Sequence, residues 1–551
     1  MKQFLSDWRL RWFLLLLPVA LFLPALPIDE TRYLSVAWEM HAHGDYLVPH
    51  LNGATYSDKP PLLFWLINFA WLAVGIHVWV VRLGVLVASL ASLTLLDRLV
   101  RRLDPDPELA PRAVAILAGI ACFAVFSSAI MFDVLLTTCV LIALHGLLDL
   151  DGARWRRGAA ILALGLGLGI LAKGPAALLD GGLVALLGPW WSATARAQKA
   201  RWYGCIGLGV LGAAAIALAW AIPAAVHGGP DYAYKIFLGQ TVGRMAKSFA
   251  HARPIWWYCM VLPVMVLPWT LSLRAPWRAW RDSFFADKAS RFGVAWFAPA
   301  FIVFCFLSGK QPHYLLPLLP GLALYLAHVL RNDAARVRGR LFAALLVLVG
   351  LALYATPYLA AHAATLPWLD KMVRAGSLTP SALAVIGGMW PLWGALLVLL
   401  GVFLLAHPRA HAQLRSVALA GVATATLGML TLAQAVGPTV DVSATAARIR
   451  AAQESGKPIA HLGWHHGLFE FPGRLTQPLE KVDFADLYTW CTAHPDGEIV
   501  TFYTKYPIAV KPELEIPYRL GRILIWRASD LCAGPRTTVP GKPDEDETPE
   551  D

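Results

Sequence analysis

Of the chain's 551 residues, 57% are hydrophobic and only 15% charged, against roughly 25% charged in soluble domains, and the mean hydropathy is +0.55. This composition excludes an ordinary soluble domain and places the chain in lipid. Lys and Arg outnumber Asp and Glu by 47 to 36, a net charge of +11, but the basic residues sit in short clusters between apolar runs, so the excess reports membrane topology and no nucleic-acid partner is expected.

Apolar stretches able to cross about 30 Å of hydrocarbon fall at residues 12–27, 79–97, 111–128, 134–150, 158–172, 176–191, 204–224, 259–273, 292–308, 314–330, 341–362, 384–406 and 416–437, which predicts about thirteen transmembrane helices. The first run leads into Pro24, Pro27 and Asp29 without a small-x-small site, so it is expected to be a span and not a cleaved signal. With Lys2, Arg9 and Arg11 cytoplasmic, every second loop is basic: Arg98, Arg101 and Arg102, then Arg154, Arg156 and Arg157, then Arg196, Lys199 and Arg201, then the clusters around Arg278, Arg336 and Arg409. An odd number of spans puts everything after about residue 438 on the non-cytoplasmic side. There, helix-like stretches at 444–453 and 483–492 alternate with strand-like ones at 458–463, 498–503 and 522–526, the pattern of a small α/β unit. The expected domains are a membrane domain over 1–437, a soluble α/β domain over 438–534 and a disordered acidic tail over 535–551.

Cys122, Cys139, Cys205, Cys259 and Cys305 lie in or beside apolar runs, where cysteine acts as a small hydrophobe. Cys491 and Cys532 fall in the polar C-terminal part and are candidates for a disulfide in an oxidising compartment. No metal-binding Cys spacing, Walker A loop, nucleotide fingerprint or HExxH motif is present, so no nucleotide or haem cofactor is expected; a divalent cation beside the acids stays open.

The candidate chemistry lies on the non-cytoplasmic side. The first loop, 28–77, carries Asp29, Glu30, Arg32 and Tyr33, then Tyr56, Asp58, Lys59, Pro60 and Pro61. Asp29 and Glu30 directly follow an apolar run, where a carboxylate can hold or deprotonate an acceptor beside lipid-borne substrates, or simply be a solvated acid at a helix end. Asp133 interrupts an apolar hairpin and needs a partner or a task, unless it is a turn residue bonding its own backbone. Lys173 and Lys310 occupy short outer turns against the charge rule, as phosphate ligands or as snorkelling lysines. The stretch 231–258 adds Gln240, Arg244, His251 and Arg253 before Trp256 and Trp257. A polyprenyl-phosphate donor would bring its phosphate to such lysines at the interface, and neutralising it as it leaves would lower the barrier to glycosyl transfer.

The segments IDETRYLSVAWEM, GDYLVPHLNGATYSDKPPLLFW, the membrane-edge MFD and KQPHYLLP closely resemble the bacterial lipid A aminoarabinose transferases, a family of the GT-C superfamily that includes protein O-mannosyltransferases. The resemblance runs roughly from residue 10 to 330. It implies two early juxtamembrane helices on a helical bundle in the bacterial inner membrane, with an amphipathic cavity and the C-terminal domain on the periplasmic side. Asp29 matches the essential first-loop aspartate and Asp133 the second acidic position, which assigns both as catalytic. Glu30, Arg32, Tyr33, Tyr56, Lys59, Lys310 and Tyr314 match substrate-binding positions, and His251 aligns loosely. Asp58 stands where the family usually has glutamate.

The implied reaction moves a sugar, 4-amino-4-deoxy-L-arabinose in the family, from an undecaprenyl-phosphate donor to lipid A or to another periplasmic glycan or protein, with inversion. A lipid or solute transporter is the competing reading from another class, and a scaffold for the soluble domain is the third. No internal broken-helix repeat is present, and the unusual polar residues cluster on one face, which argues against transport.

Overall fold

The structure is a computed structural model, described over residues 8–238, 252–331, 337–375, 378, 380–406, 410–501, 508–519 and 521–535. It separates into two compact units, one made of Met1–Leu23, Ser57–Ala352 and Leu392–Leu430, the other of Pro24–Tyr56, Leu353–Pro391 and Thr431–Asp551.

Among the described residues seven helices are long and apolar enough to cross a membrane: Val78–Leu103, Phe132–Asp151, Trp155–Lys173, Lys199–Leu238, Lys288–Phe306, Arg340–Ala361 and Gln413–Glu454. Shorter apolar helices cover Leu62–Val74, Leu109–Gly119, Ala176–Leu186 and Pro391–Ala406. Each stretch expected to span is helical over most of its length, and several are broken. The run 111–128 divides at Ile120, whose backbone is extended, and the run 259–273 divides at Pro268. The breaks face one another: the Ala121 N–H donates to the Leu267 carbonyl at 2.7 Å. Lipid offers no water to an opened backbone group, so one interrupted helix is tolerable where another completes it.

Helices Phe132–Asp151 and Trp155–Lys173 lie in close backbone contact, and a Cβ placed on Gly165 would fall 2.3 Å from the Ala143 nitrogen. Apolar area drives little association between helices in lipid, so small residues that allow this approach carry the contact. The arginine clusters serve as fasteners. Asp149, almost fully buried, accepts from Arg102 and from Arg154 at 2.6 Å and is ion-paired with Arg157 at 3.0 Å, while Asp104, Asp106 and Asp287 converge on Arg331 at 2.8, 3.3 and 2.9 Å.

The other unit contains two sheets. Strands β1 (His50–Leu51) and β2 (Ala54–Thr55) form a hairpin. The five-stranded sheet uses β3 (Ile459–Leu462), β4 (Glu480–Val482), β5 (Glu498–Thr501), β6 (Leu514–Tyr518) and β7 (Gly521–Arg527) in the order β4-β3-β5-β7-β6. Strand β3 runs parallel to β4 and β5, and β7 antiparallel to β5 and β6. Apolar clusters cover both of its faces, one including Ile449, Val500 and Ile525, the other Leu487, Ile499 and Trp526. This two-sided burial explains why β3 and β5 read as short continuous apolar runs instead of alternating ones. The candidate Cys491–Cys532 disulfide is not formed; both residues are thiols.

Asp149 gives a graded stability test. Asp149→Ala leaves three guanidinium groups without their buried acceptor and is expected to cost about 3–5 kcal/mol, whereas Arg157→Ala, removing a side chain 70% exposed, should cost under about 1 kcal/mol. Thermal unfolding of the purified protein in detergent reads both; equal effects would show that the cluster is not the fastener described.

Candidate active site

The segment expected as a polar first loop is a helix, a hairpin and a second helix. The helix Asp29–His43 carries the DETRY motif. Asp29 and Glu30 stand in its first turn and His41 and His43 in its last, each favourable to the helix dipole. The Glu30 carboxylate reaches back to accept from Leu26 N at 2.8 Å. Gly44, with φ +71°, ends the helix and returns its N–H to the Met40 carbonyl.

Residues 33–40 are all buried, and Asp29 and Arg32 are the partly exposed positions of the first turn. The Asp29 side chain is 48% exposed, and its Oδ1 lies 3.7 Å from the Arg32 guanidinium and accepts from the Tyr33 hydroxyl at 3.4 Å. A carboxylate, a guanidinium and a phenol are thus held one helical turn apart. The hairpin turns on Asn52 and Gly53, both at positive φ, the geometry a two-residue turn requires. The Glu39 carboxylate accepts from both of their N–H groups. Tyr56 is buried just beyond β2. Helix Leu62–Val74 follows Lys59, and its exposed Leu66, Phe69 and Leu72 give it an apolar outer face that the sequence analysis had assigned to the loop.

The other unit holds a second group. Asp133, buried in the first turn of Phe132–Asp151, accepts from Lys173 at 2.5 Å, and the Lys173 ammonium sits 4.4 Å above the Tyr314 ring. Asp133 is therefore an ion-pair partner and not a turn residue bonding its own backbone, and Lys173 is turned inward instead of snorkelling. Lys310 is buried and donates to the carbonyls of Arg253, at 2.9 Å, and Leu307. Lys59 is half-buried. His251, Gln240 and Arg244 lie outside the described residues.

Asp180 and Arg82 are buried charged residues outside the expected site set. Asp180, in Ala176–Leu186, is fully buried with neither carboxylate oxygen hydrogen-bonded, within electrostatic reach of Lys173 and Asp133. Arg82, in Val78–Leu103, is fully buried and donates to the Leu23 carbonyl at 3.0 Å and the Ser128 carbonyl at 2.6 Å. Each is a single charge in an apolar run, and such a charge was itself the signal. Among the described residues no three His, Cys, Asp or Glu side chains gather as a metal site.

The fold matches the crystal structure of ArnT from Cupriavidus metallidurans bound to undecaprenyl phosphate, with a TM-score of 0.73 over 96% of this chain and 100% of that one at 16% identity. Residues 58–227 match the family described as dolichyl-phosphate-mannose-protein mannosyltransferase. Architecture and motif together define a multi-pass membrane glycosyltransferase of the GT-C class. In sequence the chain is 30% identical over 391 residues to the undecaprenyl phosphate-alpha-4-amino-4-deoxy-L-arabinose arabinosyl transferase of Edwardsiella ictaluri, covering 67% of each, and 33% identical over 371 residues to that of Pseudomonas paraeruginosa, covering 62% of this chain and 65% of that protein. It belongs to this arabinosyl transferase family. Other matched relatives are spanned over little more than half their length.

Three further titratable groups are buried near the motif helix in its own unit. Glu470 and His465 face each other at 3.3 Å. Burial pushes the Glu470 carboxyl up to about 7, and burial, reinforced by neighbouring histidines, pushes the His461 and His465 imidazoles down to about 3. Glu39 is likewise raised by burial. Between the ordinary 4.5 and about 7, folded Glu470 keeps a proton that the unfolded chain has released, so rising pH costs stability in that window. The histidines act oppositely from about 3 to the ordinary 6.5. Glu470→Gln removes only the first effect, so the melting temperature of the variant should gain on that of wild type as pH rises from 4.5 to 7.5. A difference that does not change with pH would contradict the protonated, buried Glu470.

Proposed function

We propose that this chain transfers 4-amino-4-deoxy-L-arabinose from undecaprenyl phosphate to lipid A at the periplasmic face of the bacterial inner membrane, with inversion at the anomeric carbon. The observation that carries the reading is the 30% identity over 391 residues to an arabinosyl transferase, and the Asp29–Arg32–Tyr33 arrangement on one helix supports it. In the step, an acceptor oxygen bonds to the anomeric carbon as the bond to the undecaprenyl-phosphate oxygen breaks, and the phosphate departs with the electron pair. Lys59, Arg32 and Lys310 hold that phosphate. Two of the three Lys310 N–H groups serve backbone carbonyls, which fixes the ammonium while one donor is left for the ligand. Glu30 braces the motif helix, and Tyr56, Tyr314 and His251 complete the substrate contacts.

The acceptor decides the task of Asp29. A hydroxyl needs a base, and Asp29 supplies one. A lipid A phosphate is already anionic and is repelled by a carboxylate, and in that case Asp29 orients Arg32, its partner at 3.7 Å, toward the acceptor. Asp133, paired with Lys173, sets the charge of the second group.

Mass spectrometry of lipid A and of the undecaprenyl-phosphate sugar pool, from cells with and without the gene, tests the reading. The expected result is loss of an aminoarabinose mass from lipid A with accumulation of donor. Unchanged lipid A with accumulating donor would move the acceptor to another glycan or a protein, and no change in either pool would overturn the transferase reading. Complementation with Asp29→Asn should restore less than about 1% of the modification; substantial restoration would remove Asp29 from the mechanism.

A further inference from the structure

The run 464–479, WHHGLFEFPGRLTQPL, belongs to the C-terminal part of the chain and carries none of the motif residues. It lies against the helix Asp29–His43 within one compact unit. Ser35, fully buried, donates its hydroxyl to the Gly467 carbonyl at 2.7 Å and accepts from Phe471 N at 3.2 Å. One turn later the Trp38 indole N–H donates to the Leu475 carbonyl at 2.7 Å, and Arg474 lies over the Trp38 ring at 5.2 Å. At the hairpin, the Asn52 side chain donates to the Leu479 carbonyl at 2.8 Å and accepts from Leu479 N at 2.7 Å.

The spacing of these contacts has a geometric meaning. At 3.6 residues per turn, Ser35 and Trp38 stand about 120° and about 180° around the helix axis from Asp29. The strap therefore grips the side of the helix away from Asp29, which stays half-exposed, while Arg32 is mostly covered and Tyr33 is buried. Gly467 sets the depth of the contact: at φ +74°, a Cβ on it would lie 3.3 Å from Arg32 Cα, 3.3 Å from Ser35 Cβ and 2.7 Å from a Leu51 methyl. No other residue type allows this approach at that φ.

We propose that the strap 464–479 is the positioning element of the catalytic motif, with Ser35 and Gly467 as positioning residues that fix the rotation and depth of the helix and so the aim of Asp29 and Arg32. The proposal rests on the transferase reading above for what the aim accomplishes. A displacement of about 1 Å can lower a rate about 100-fold.

The test uses the purified full-length protein and the variants Ser35→Ala, Gly467→Ala and Trp38→Phe, the last removing one hydrogen bond while keeping an aromatic ring. Two quantities are measured: hydrogen exchange of peptides covering 29–43 and strand β7, and kcat and KM with undecaprenyl phosphate-aminoarabinose and lipid A. The expected result is exchange about 10-fold faster in 29–43 with β7 unchanged, and kcat lowered about 10- to 100-fold. Unchanged exchange in 29–43, or faster exchange with kcat intact, would overturn the proposal; so would loosening of 29–43 and β7 together in all three variants, which would make these residues ordinary core. A wild-type protein inactive with this donor would instead overturn the transferase reading, with the exchange data still deciding whether the strap holds the helix.

Discussion

Hydrocarbon solvates no charge, and the organisation of the chain follows from that constraint. Each buried ion needs an answering group inside the protein. Asp149 has three guanidinium groups, Arg331 has three carboxylates, Arg82 and Lys310 have backbone carbonyls, and Asp133 has Lys173. The same demand explains where helices break, since Ala121 and Leu267 interrupt two helices at points where each completes the other's backbone. At the ends of the helices these pairings join separate segments. Lys173 pairs with Asp133, while the neighbouring Asp180 carboxyl has no hydrogen bond among the described residues.

Much of this was legible in the sequence. Apolar length reports a span directly, because the period of burial in lipid is the whole helix, and the thirteen stretches all carry helix. The C-terminal strands read correctly at β3, β5 and β7 because both faces are buried and the apolar runs are continuous. The short β4 and the mostly exposed β6 gave no such signal. Asp29, Arg32 and Tyr33 were legible through a family motif, and the i, i+3, i+4 spacing then places them on one face of a helix. The helix itself was implied only by the family resemblance and not by composition: its burial depends on partners more than 400 residues away, and its mixture of Glu, Ser, Trp and His looks polar until Gly467, Leu475 and Leu479 are beside it. Asp180 and Arg82 were lost for the opposite reason, since an apolar window averages away its one charge.

The two units are each assembled from separate stretches of the chain. The unit that holds the C-terminal part, expected to begin near residue 438, also contains Pro24–Tyr56 and with it the motif helix. Lys59, Asp133, Lys173 and Lys310 belong to the other unit. The chain passes from one unit to the other inside the Y-x-x-KPP motif, between Tyr56 and Ser57.

The pairing of Ser35 with Gly467 also imposes an order on biogenesis. A ribosome makes the motif helix within the first tenth of the chain, but the residues that hold it are not made until every apolar stretch has been synthesised. Such a non-local contact closes late, and until it does the helix lacks the partners that cover its buried face. A product cut short between residues 44 and 464 would carry the helix Asp29–His43 without the residues that contact its buried face. Seating of that helix is in this sense tied to synthesis of the C-terminal part of the polypeptide.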